Sequence, residues 1–123
     1  QYLEENDYIL YGYNLNDILV INEQTFIVAN AQYILPLESE TKSIVFFSPI
    51  IKPVFSNPEL LELTSLPSSI YYKSSYYSLG VLVIHCLGLA LDSDLELIYD
   101  TKLYWLLERC LVEEPKNRSI LFI

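Results

Sequence analysis

Few residues in this chain have the type and spacing that chemistry requires. His85 is the single histidine and sits beside Cys86. Adjacent residues on a helix point apart, so the two make no dyad, and no Ser/Asp or Cys/His spacing supports a triad. His85 is therefore expected to pack within a helix. Cys86 and Cys110 show no paired-Cys or paired-His spacing of the zinc-binding kind, so no metal is assigned to them. Both fall in apolar helical patterns and are expected to be buried free thiols, which fits a reducing, cytoplasmic setting. Asp17 carries a carboxylate at the start of an expected hairpin. It could ligate a hard cation, or serve as a turn or cap residue.

The elements that position these residues come from 123 residues, enough for one domain with one core. Hydrophobic residues make up 52%, which argues against disorder. The formal net charge of −9 repels nucleic-acid phosphates and anionic membrane surfaces, so neither is an expected partner. It suits a protein partner with a basic surface. Residues 74–91 carry no formal charge, but their serines, His85 and the lack of a basic flank favour a buried core helix over a membrane span. The chain starts at Gln1 with no basic leader, and both ends read as cuts within a longer polypeptide.

Along the chain, residues 1–8 read as the end of a helix and a turn. Residues 18–21 and 25–28, split by Asn22, Glu23 and Gln24, read as a β-hairpin, and residues 34–37 as a third short strand. Residues 38–58 hold prolines at 49, 53 and 58 and read as an ordered, irregular loop. A short helix at 59–63 and another loop at 66–69 follow. Residues 73–89 form a long apolar helix, 92–96 a polar break, and 97–112 a second helix with Leu103, Leu106, Leu107, Cys110 and Leu111 on one face. Residues 117–123 begin a further element. The expected class is α+β, mainly α-helical.

Three stretches together resemble protein kinases. YLEENDYILYGYNLNDILVINEQTFIVANAQ, residues 2–32, is similar to the segment running from the H-R-D-L-K-P-E-N loop through a hairpin to D-F-G. The loop reads Leu10-Tyr11-Gly12-Tyr13-Asn14-Leu15-Asn16-Asp17, and Asn30-Ala31-Gln32 stands at D-F-G. FSNPELL, residues 55–61, resembles A-P-E. SSYYSLGVLVIHCL and LLERCLVEEPKNR, residues 74–87 and 106–118, resemble the family's core helix and its C-L-x-x-D-P-x-x-R ending. The tyrosine-rich SLPSSIYYKSSYYSLG is similar to kinase-like proteins of giant DNA viruses. The resemblance covers residues 1–123 as a C-terminal lobe without the Gly-rich loop or the V-A-I-K lysine.

That resemblance implies lost chemistry. The aspartate that accepts the hydroxyl's proton becomes Gly12, and the lysine two residues on becomes Asn14. The magnesium-binding asparagine becomes Asp17, the one weak metal candidate, and the D-F-G aspartate becomes Asn30. Tyr11 replaces the arginine that would meet a phosphate on the activation segment. Ser75 stands where an aspartate braces the loop backbone. Glu59 and Arg118 keep the family's buried ion pair. The resemblance thus implies a catalytically inactive scaffold or interaction module with no cofactor. The alternative is an active, atypical serine/threonine kinase using ATP and Mg, with help from an upstream lobe.

Overall fold

The structure, a computed structural model, describes residues 1–91 and 94–120. Its elements follow local chemistry. A single helical turn, α1 (Tyr2–Glu5), leads through Asp7, with φ of 57°, into strand β1 (Tyr8–Leu10). A 3-10 turn at Leu15–Asp17 precedes strands β2 (Ile18–Ile21) and β3 (Thr25–Val28), which form the antiparallel hairpin expected at 18–28. Its turn uses positive φ at Asn22 and Glu23, the twist that matches a tight hairpin. Strand β4 (Ile34–Pro36) returns to pair with β1, setting Leu35 opposite Ile9.

Strand β5 (Ser43–Phe46) pairs with β6 (Ser68–Tyr71), with Ile44 opposite Ile70. Between them, α2 (Pro58–Leu61) starts at Asn57, whose side chain accepts from the Leu60 N–H at 2.9 Å. Pro58 fits the first turn because its missing donor is not needed there. Helix α3 (Ser74–Cys86) and helix α4 (Lys102–Cys110) pack on each other at Gly80. A Cβ at Gly80 would stand 2.9 Å from Leu111 Cδ2 and 3.2 Å from Cys110 Cβ, so a larger residue would have to push the Leu111 side chain aside.

The fold is not mainly helical, contrary to expectation. Among the described residues only α3 and α4 exceed four residues, and six strands form three separate two-stranded antiparallel sheets. One buried cluster joins the strand residues Ile9, Ile44, Phe46 and Ile70 to Tyr11, Tyr33, Leu37 and Leu60, and α3 and α4 bury Tyr76, Leu82, Ile84, Leu107 and Cys110. The 38–58 and 66–69 stretches, expected as loops, contain β5 and the start of β6. The prolines at 49, 53 and 58 all follow β5, so none interrupts its ladder, and its side chains alternate between half-buried and buried. The second helix does not run from 97. Leu95–Ile98 is a 3-10 turn, Asp100 takes φ of 61°, and Thr101 caps α4 by accepting from the Tyr104 N–H at 3.1 Å. Asp92, in the expected polar break, and 121–123 lie outside the described residues.

Among the described residues no helix is long and apolar enough to cross a membrane. The two cysteines differ. Cys110 is buried, whereas Cys86 is exposed at the C-terminal end of α3, as is His85, whose ring lies 4.9 Å from that of Phe55. An uncharged helical sequence does not mark where along its length the core ends.

Candidate functional site

The 10–17 loop hangs between β1 and the hairpin, and pairing of β1 with β4 brings residues 30–32 alongside it. Its backbone is tied down from three directions. The Tyr11 N–H donates to Tyr33 O at 3.0 Å, and Tyr13 exchanges two backbone hydrogen bonds with Phe55, at 3.1 and 2.9 Å. The Ala29 N–H donates to Asp17 O at 2.7 Å, closing the hairpin onto the loop.

The side chain of Tyr11 turns into the core. It is 3% exposed and lies edge-on to Tyr33 and Phe46, with ring centroids 5.6 and 5.4 Å away. Phe46 belongs to β5, so an aromatic contact fastens the loop to the segment leading towards α2. Burial, then the neighbouring Tyr33, raises the Tyr11 hydroxyl pKa.

Gly12 has no room for a carboxylate. An added Cβ would overlap Pro53 Cγ, lie 2.8 Å from Pro53 Cβ and 3.3 Å from Phe55 O. The space beside Gly12 is filled by a buried pyrrolidine ring rather than by an acid from elsewhere. Asn14 is also committed. Its Nδ2 donates to Tyr33 Oη at 2.9 Å, and its Oδ1 accepts from the Val54 N–H at 2.8 Å. It is a strut joining the loop to residues 53–55.

Asp17 and Asn30 sit at the rim. Asp17 Oδ2 accepts from Gln32 Nε2 at 3.3 Å, and Asn30 Oδ1 accepts from the Gln32 N–H at 3.0 Å. Gln32 thus occupies one oxygen of each candidate ligand. Among the described residues no three His, Cys, Asp or Glu side chains come together as a metal set.

Ser75 does not reach the loop; its hydroxyl donates to Tyr72 O at 2.9 Å within its own turn. The brace comes instead from two residues that the sequence reading did not single out. Ser78 Oγ and Asn57 Nδ2 both donate to Tyr11 O, at 3.1 and 3.3 Å, and Asn57 Nδ2 also donates to Ser78 Oγ at 2.9 Å. Both side chains are fully buried. The Asn57-Pro58 pair was the available signal, since asparagine before a first-turn proline marks a helix cap.

Behind the loop, Arg118 is fully buried and donates to both carboxylate oxygens of Glu59, Nη1 to Oε2 at 3.0 Å and Nη2 to Oε1 at 2.8 Å. Its Nε donates to Val112 O at 2.7 Å, Nη2 also to Glu113 O at 2.9 Å, and the guanidinium lies 4.9 Å from the centre of the Tyr77 ring. The fork fits the carboxylate while the remaining donors hold the chain after α4. Nearby, burial pushes the Cys110 thiol up to about 11, against the lowering effect of Arg118. That keeps it protonated and inert at neutral pH.

The geometry joins a braced loop to a clasped scaffold. No protein-family model matches the chain, and no curated protein matches it.

Proposed function

We propose that the chain is a catalytically inactive, protein kinase-like scaffold or interaction module. The observation that carries this reading is a contrast within one structure. The Glu59–Arg118 clasp is complete, while Pro53 fills the space beside Gly12 where the resemblance calls for a catalytic aspartate. The hairpin at 18–28 and the return of residues 30–32 beside the loop support the same alignment. Phosphoryl transfer draws on a positioned base and metal-neutralised phosphates. Here Asn14 bonds the Tyr33 hydroxyl and the Val54 N–H, and Gln32 bonds the Asp17 carboxylate.

The partner is a protein, and the formal charge of −9 favours one with a basic surface. Two unpaired thiols fit a cytoplasmic setting, and the tyrosine-rich sequence fits a viral source. The intact polypeptide, assayed for Mg-ATP binding and for transfer to a generic serine/threonine substrate, is expected to show no transfer. Transfer that disappears on Asp17→Ala would overturn the reading.

A further inference from the structure

We draw no further inference here: the strongest candidate, the two-stranded β2–β3 hairpin with Leu19, Val20, Ile21, Phe26, Ile27 and Val28 all exposed, is an apolar surface, and nothing in the structure shows what covers it.

Discussion

Replacing Glu59 with alanine strands a guanidinium that has no contact with solvent. Arg118 would keep its bonds to the carbonyls of Val112 and Glu113 but lose two charge-assisted bonds, at 3.0 and 2.8 Å. Breaking one partner of a fully buried pair costs about 3–5 kcal/mol, whereas an exposed pair is worth about 0–1 kcal/mol. The Glu59 side chain is 22% exposed, so water can partly refill its place, and the loss belongs near the lower end, about 3 kcal/mol. With a urea slope of about 2 kcal/mol per molar, the unfolding midpoint should fall by about 1.5 M. Glu59→Gln keeps the shape and one acceptor oxygen and should lose about half as much. The double variant Glu59→Leu with Arg118→Met removes the stranded charge and should fall short of the summed single losses by about 1 kcal/mol or more. A midpoint shift below about 0.5 M for Glu59→Ala, or strict additivity in the double variant, would refute the buried clasp, since about 1 kcal/mol is what a solvated pair gives.

Other perturbations probe the loop. Gly12→Ala should cost about 1–3 kcal/mol in urea unfolding, because the new methyl overlaps Pro53, and most of that penalty should vanish in a Pro53→Gly background. Asn57→Ala removes the cap of α2 and one brace on Tyr11 O; we expect a loss of about 2–3 kcal/mol and faster hydrogen exchange at the Leu60 amide. Burial pushes the Tyr13 pKa up to about 12 from 10.0, with smaller contributions from Cys110 and Glu4. The folded state then holds the proton that the unfolded chain releases. The associated stability is fully present below pH 10 and is lost towards pH 12, at up to about 1.4 kcal/mol per pH unit. The raised groups at Tyr11, Tyr72, Tyr76 and Cys110 act in the same direction, so Tyr13→Phe should flatten this alkaline decline without abolishing it.

Local signals in the sequence were legible where a short stretch carries its own instruction. The β-branched runs around Asn22 and Glu23 specify a hairpin, and Pro58 specifies a helix start. The Glu59–Arg118 contact was legible only through spacing shared with a family, because its partners lie in different elements. The β5·β6 sheet was not legible. Its strands pair across α2, and a four-residue SIVF run beside prolines looks like loop until its partner is known. The break before α4 was hidden because apolar residues continue at helical steps on both sides of Asp100. His85 and Cys86 were expected inside because α3 is uncharged throughout, and only packing decides where along its length the core ends. The roles of Gly12 and Asn14 depend on Pro53 and Val54, far along the chain. The sequence alone did not show that Pro53 packs against Gly12 and that Asn14 bonds Val54.

Phosphotransfer by the intact polypeptide is the most direct measurement. With Mg-ATP and a serine/threonine substrate, we expect no phosphate incorporation above a protein-free control. We expect the same of Gly12→Asp, because Pro53 leaves no room for the restored carboxylate. Incorporation that requires Mg and is lost on Asp17→Ala would contradict the view that this loop has exchanged catalysis for structure.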